Sequence, residues 1–139
     1  IPVIGTYFLH THILDFIPVL PAISIGLIST MILNVNNMRD IENDRKSGKK
    51  TVAVKLGLTR AKIYHATLTF LSFFCFLSFS YLFASQHWFN YVYLIFFLIL
   101  FKVLRDIRLK TGRELDPYLK ITSLAGLLIA LSFMVCINL

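Results

Sequence analysis

The chain has 139 residues, 57% hydrophobic and only 15% charged, with a net charge of +7. A soluble domain averages ~25% charged residues, so there is too little polar surface here to wrap a water-soluble particle, and lipid is the expected solvent. The two cysteines, Cys75 and Cys136, lie in apolar runs with no CxxC or Cys/His spacing, which excludes a zinc module or disulfide framework and leaves them as buried packing residues.

In chain order, IPVIGTYFL reads as the tail of a membrane span that begins before Ile1. It has neither an initiating Met nor a basic n-region, so it is not a signal peptide, and the chain reads as a piece of something longer. Four segments then approach the ~20 apolar residues a transmembrane helix needs: residues 16–33, 63–83, 88–101 and 121–139. Runs such as TFLSFFCFLSF do not alternate as the strands of an outer-membrane barrel do. The expected fold class is therefore all-α, a polytopic transmembrane bundle with about four full spans and the tail of a fifth. His10 and His12 are read as interfacial polar residues, and His65 as hydrogen-bonded or facing headgroups.

Charge sets the topology. Eight of the fourteen Lys and Arg fall between residues 39 and 62, the other six between 102 and 120, and none in HTHILD or ASQHWFN. The positive-inside rule puts both basic loops in the cytoplasm, with Trp88, Tyr91 and Tyr93 in an interfacial belt on the other side. Orientation and attraction to anionic lipid headgroups account for the net charge; no nucleic-acid partner is expected. The second basic loop reads as amphipathic, with Leu104, Ile107 and Leu115 toward lipid and Arg105, Arg108 and Lys110 toward headgroups or another phosphate group. It serves as a cap over a cavity or as a plain connector, and Pro117 marks the restart of helix.

The polar cluster NVNNMRDIENDRKSGKK follows directly on the apolar run VLPAISIGLISTMIL. Continuing that helix at 100° per residue places Asn36, Asp40 and Asp44 on one stripe, with Asn37 beside them and Glu42 on the other side. Aspartates at i and i+4 have Cβ atoms ~5–6 Å apart and repel, more strongly near a low-dielectric boundary. A divalent cation removes the conflict: Mg²⁺ takes oxygen ligands, typically one or two carboxylates with substrate phosphates and water. Arg39, Arg45, Lys46, Lys49 and Lys50 supply phosphate-holding cations around the pair. A solvated loop obeying the positive-inside rule is the plain alternative, but orientation does not require amides in phase with the aspartates. SGKKT is not a P-loop, because Asn43 stands at its first glycine and Lys50 at its Ser/Thr; DIENDR is not a calcium loop, because Arg45 stands at its glycine.

With those residues in view, NNMRDIENDRKSGKKTVAVKLG resembles the second aspartate-rich motif of the UbiA superfamily of intramembrane prenyltransferases. More narrowly, it is similar to the 1,4-dihydroxy-2-naphthoate polyprenyltransferase branch of menaquinone biosynthesis. GTYFLHT upstream and ELDPYLKITSLAGLL downstream extend the resemblance over essentially the whole chain. The resemblance implies a nine-span helical fold around a cavity whose cytoplasmic mouth holds Mg²⁺ and a polyprenyl diphosphate. The allylic diphosphate ionises there, and an aromatic acceptor attacks the carbocation. Carried over, Asp40 and Asp44 match the metal-binding pair, Asn37 a polar partner, and Arg39 and Lys49 positions facing diphosphate; Asn36 and Thr51 match without an assigned role. The first aspartate-rich motif has no counterpart in these residues. The chain is thus expected to be the C-terminal half, residues 1–139, of one prenyltransferase domain in a bacterial cytoplasmic membrane, inactive alone. Alternatives are prenyl transfer to another aromatic acceptor, or a non-catalytic membrane or transporter subunit whose basic loops bind anionic lipid.

Overall fold

The computed structural model describes residues 2–84 and 87–138; Ile1 and Leu139 of the terminal apolar segments, and Ser85 and Gln86 of the second short connection, lie outside them. Among the described residues every regular element is helical, as a backbone in lipid requires when it cannot close a barrel. Helix α1 (Pro2–Thr11) precedes α2 (Val19–Arg39), two short helices α3 (Ile41–Lys46) and α4 (Val52–Leu56), and the long α5 (Leu58–Phe83). A 3-10 helix (Trp88–Phe96) runs into α6 (Phe97–Asp106). Two 3-10 turns (Ile107–Leu109 and Gly112–Leu115) then lead to α7 (Asp116–Asn138).

Three helical runs are long and apolar enough to cross a membrane: α2, α5, and Gly112–Asn138, which joins the last turn to α7. Residues 88–101, read as the third span, do not wind as one α-helix. WFNYVYLIF is aromatic and β-branched, a poor helix former, and it is tethered to α5. The Tyr93 hydroxyl reaches the Phe76 carbonyl at 2.9 Å and Ser80 Oγ at 2.7 Å, while Asn90 Nδ2 donates to the Ala84 carbonyl at 2.8 Å. Together the 3-10 helix and α6 are still about 33 Å long from their rises per residue, enough for a hydrocarbon core.

Hydrophobic packing falls at two levels. The larger cluster joins Ile28 and Met31 of α2 to Leu68 and Phe76 of α5, Tyr93 and Phe97, and Ala125 and Ile129 of α7. Its rings meet edge-on, as at Phe76–Tyr93 (centroids 5.1 Å apart), the arrangement aromatic quadrupoles favour. At the charged end, Val35 and Met38 pack with Ala53, Ala61, Ile107 and Leu115. Small and hydroxylic residues bring the helices together, as they do in membranes. Ser24 and Ser72 bond across α2 and α5 at 2.8 Å, and Asn34 Nδ2 donates to the Ala61 carbonyl at 3.0 Å. Gly126 sits so close to α2 that an added Cβ would lie 2.7 Å from Ile28 Cγ2.

Several sequence expectations change. Leu104, Ile107 and Leu115 do not face lipid: they are 8%, 0% and 0% exposed, because the 3-10 turns fold the second loop back onto the end of the bundle. His65 does not face headgroups either; it is fully buried, and neither ring nitrogen has a hydrogen-bond partner. Cys136 is buried as expected, Cys75 only half so.

Candidate functional site

Both basic loops meet at one end of the bundle. Arg39 at the end of α2 touches Asp116 at the start of α7, and Lys62 Nζ donates to the Arg108 carbonyl at 2.8 Å. Between the loops lies a cavity of about 620 Å³. The first loop contributes Arg39, Asp40, Glu42 and Asn43 to its lining, and the second contributes Gly112, Arg113 and Asp116.

Local sequence explains the first wall. α2 ends at Arg39, and Asp40 (φ −96°, ψ 9°) separates it from α3. The expected unbroken helix through Asp44 is thus corrected to two helices, although the Asp40 N–H still reaches the Asn36 carbonyl (3.1 Å) and the Asp44 N–H the Asp40 carbonyl (2.9 Å). α3 stops in a Schellman turn. The Gly48 N–H donates to the Arg45 carbonyl at 3.2 Å and the Lys49 N–H to the Asp44 carbonyl at 2.9 Å. Gly48 has φ +73°, the left-handed conformation that favours glycine at that position. The turn brings Lys49 back over Asp44, with Nζ 3.2 Å from Oδ1. Beyond it Thr51 Oγ1 caps α4 by accepting from the Val54 N–H at 3.3 Å.

The aspartates therefore have different surroundings. Asp44 is nearly buried against Lys49 and is not among the residues lining the cavity. Asp40 is, and both its oxygens engage Arg39: Nε donates to Oδ1 at 2.9 Å and Nη2 to Oδ2 at 2.6 Å. That guanidinium holds the Asp40 carboxyl below its ordinary range, against the opposing effect of partial burial. Arg39 also donates to Asn36 Oδ1 at 2.9 Å and, through Nη1, to Asp116 Oδ1 at 3.2 Å. Of the two amides flanking α2's last turn, Asn36 joins this network, whereas Asn37 is half-buried and outside the cavity lining. Glu42, placed opposite the aspartates by continuous winding, lines the cavity with Asp40.

The second loop, read as a cap or a plain connector, does line the cavity, but through Gly112, Arg113 and Asp116 rather than through the expected Arg105, Arg108 and Lys110. Asp116 lies 77 residues from Arg39, a separation no periodicity links. Its local signal was T-x-x-E just before DP: the Thr111 N–H donates to Glu114 Oε2 at 3.0 Å, a capping arrangement that fixes the turn ahead of α7. Gly112 within it has φ +51°.

The lining carries two cations, Arg39 and Arg113, against three carboxylates, Asp40, Glu42 and Asp116. By charge it draws a cation first and an anion through that cation. Among the described residues no group of three or more His, Cys, Asp or Glu is gathered closely enough to hold a metal alone. One or two hard carboxylates, completed by phosphate oxygens and water, is the usual setting for Mg²⁺, and the donors present fit that ion.

Comparison with known proteins follows the same residues. The sequence profile of the UbiA prenyltransferase family matches residues 1–124. The chain is 39% identical over 130 residues to a 1,4-dihydroxy-2-naphthoate octaprenyltransferase of Haemophilus influenzae, covering 93% of this chain and 42% of that protein. It is 38% identical over 115 residues to the Escherichia coli protein of the same name, covering 83% and 36%. UbiA prenyltransferase domain-containing protein 1 of Homo sapiens is 36% identical over 74 residues, covering 53% and 22%. No solved structure gives a significant match. The chain spans less than half the length of these relatives. A match over most of its residues, centred on a helical membrane bundle with a carboxylate-lined mouth, means that the chain belongs to the UbiA prenyltransferase family.

Proposed function

We propose that this chain supplies one part of a site that moves a polyprenyl group from its diphosphate to 1,4-dihydroxy-2-naphthoate, with Mg²⁺, at the cytoplasmic face of a bacterial membrane. The reaction forms demethylmenaquinone with loss of the acceptor's carboxylate. The observation that carries the reading is the Asp40–Arg39–Asp116 network at the mouth of an otherwise apolar bundle. The names of the two bacterial relatives support the donor and acceptor classes. Because the chain spans less than half their length, we assign the first aspartate-rich motif and the remaining metal ligands to a part of the protein outside these residues.

In this reading Asp40 and Asp44 are metal ligands, and Asn37, Arg39 and Lys49 serve the diphosphate. Asp44, paired here with Lys49, would hold the cation together with Asp40, and the Lys49 ammonium would then serve a phosphate oxygen. Mg²⁺ would supply electrostatic stabilisation of the leaving diphosphate, usually the largest contribution available to such chemistry. Arg39, Arg113 and Lys49 add positive charge at the same place. The apolar helices beneath keep water from the allylic cation, and phenylalanine faces stabilise it through their quadrupoles.

Asp40→Asn tests the assignment in the full-length protein. It keeps size and hydrogen-bonding ability while removing the charge. Mg²⁺-dependent prenylation of the naphthoate in proteoliposomes should fall at least about 100-fold, as for other losses of a group that stabilises developing charge. Undiminished turnover would show that the aspartate has no part in the chemistry.

A further inference from the structure

We propose that Asp116 is a positioning residue that keeps Arg39 over the cavity when Asp40 turns its oxygens to a cation. The second basic loop is then a working wall of the diphosphate site. The inference rests on the function proposed above and names a residue that resemblance did not assign.

The geometry is specific. Arg39 spreads its donors over three partners: Nε and Nη2 on Asp40, Nη2 also on Asn36, and Nη1 on Asp116. Asn36 and Asp40 are its own neighbours on the chain; Asp116 alone comes from another element. A carboxylate that ligates a metal must give up at least one of the oxygens now bound to Arg39. Arg39 is a flexible side chain on the last turn of α2, and with Asp40 withdrawn its remaining charged partner is Asp116. That partner is well placed to stay, because as the first residue of α7 it lies where the helix dipole favours a carboxylate. Pro117 and the capped turn before it fix the backbone on either side. Asp116 is half exposed, with side-chain exposure of 52%. Such a pair is weak, so it orients the guanidinium without neutralising it against phosphate.

The test uses the full-length protein in nanodiscs with Asp116→Asn, which keeps the side chain's size and hydrogen-bonding ability while removing its charge. Calorimetry reads Mg²⁺-dependent binding of inorganic pyrophosphate, and steady-state kinetics read KM for the polyprenyl diphosphate separately from kcat. Pyrophosphate Kd and diphosphate KM should both rise by up to about fivefold, the upper end of what an exposed ion pair contributes, with kcat within about twofold. Asp116→Glu should recover most of the loss, and Asp116→Asn should have no further effect on Kd in an Arg39→Ala background. An unchanged Kd, or an equal effect with and without Arg39, overturns the inference. Asp116→Ser takes its place if the asparagine variant does not fold. Absence of Mg²⁺-dependent pyrophosphate binding in the unmodified protein would instead sink the proposed function, so the two failures are distinct.

Discussion

Gly126 is where the bundle leaves no room for a side chain, and the geometry fixes both the effect of adding one and its cure. In Gly126→Ala the new Cβ would stand 2.7 Å from Ile28 Cγ2, roughly an ångström inside the 3.5–4.0 Å optimum for carbon contacts. Cγ2 is attached directly to Cβ, so it cannot swing aside as the end of a long side chain would; α7 or α2 must move. Overpacking of that kind costs about 1–3 kcal/mol, while alanine gains about 1 kcal/mol over glycine in helix propensity. The net expectation is a destabilisation of up to about 2 kcal/mol. Ile28→Leu removes the γ2 branch at nearly constant volume and should itself cost less than about 1.5 kcal/mol. In that background Gly126→Ala should reverse sign and stabilise by up to about 1 kcal/mol, because only the propensity gain remains. Denaturant unfolding of the four combinations in one detergent measures the cycle. An alanine effect of equal sign and size in both backgrounds would refute the reasoning. The contact also bears on the site, since α2 ends at Arg39 and α7 begins at Asp116. A shift of about an ångström between them is enough to stretch the 3.2 Å Arg39–Asp116 bond beyond hydrogen-bonding length. Gly126→Ala alone should therefore also raise KM for the diphosphate, and Ile28→Leu should restore it.

Other consequences follow from the same contacts. Tyr93→Phe removes the hydroxyl that meets Phe76 and Ser80; Ser80 keeps its bond to the Asn90 carbonyl, so the loss should be about 1–2 kcal/mol in detergent unfolding. His65→Leu replaces a buried ring whose two nitrogens lack partners. It should stabilise by about 1 kcal/mol, and a large loss of stability would show that the ring is bonded after all. Asp40 titrates below its ordinary range because of Arg39, so the stability from this pair is present above the unfolded pKa and lost as pH falls through the lower folded one. Unfolding midpoints of unmodified protein and Asp40→Asn should differ by a constant amount from about pH 5 to 8 and converge below about pH 4; convergence above pH 6 would contradict the pairing.

How much was legible depended on the range of the interaction. Spans in lipid announce themselves by composition, so α2, α5 and α7 were readable, with ends displaced by up to six residues. The break at Asp40 was not readable. No glycine or proline marks it; the change of axis lets Met38 and Ile41, on either side of it, both reach the cluster beneath the site. That demand comes from α4, α5 and the second loop, and is therefore tertiary. The same cause misled the reading of residues 102–120, whose apolar positions pointed to a greasy partner without saying whether it was lipid or protein. Asp116 stands 77 residues from Arg39 in the other basic loop, and a relation of that range is one that only folding reveals.

The acidic residues, more than the basic ones, separate a site from a topology signal at this end of the bundle. Lys and Arg gather on one side of any polytopic membrane protein, but orientation places little demand on Asp and Glu. Of the seven acids in the chain, Asp15 alone lies in the connection between α1 and α2; the other six lie within residues 40–44 and 106–116. Three of those six line the shared cavity, although they come from two segments some seventy residues apart. Loops that served only to orient the chain would gain nothing from facing carboxylates across a gap, because the repulsion strengthens toward low dielectric. The convergence is favourable when the chain also supplies guanidinium groups and the cavity takes up a cation, the combination that the Asp40, Arg39 and Asp116 variants separate experimentally.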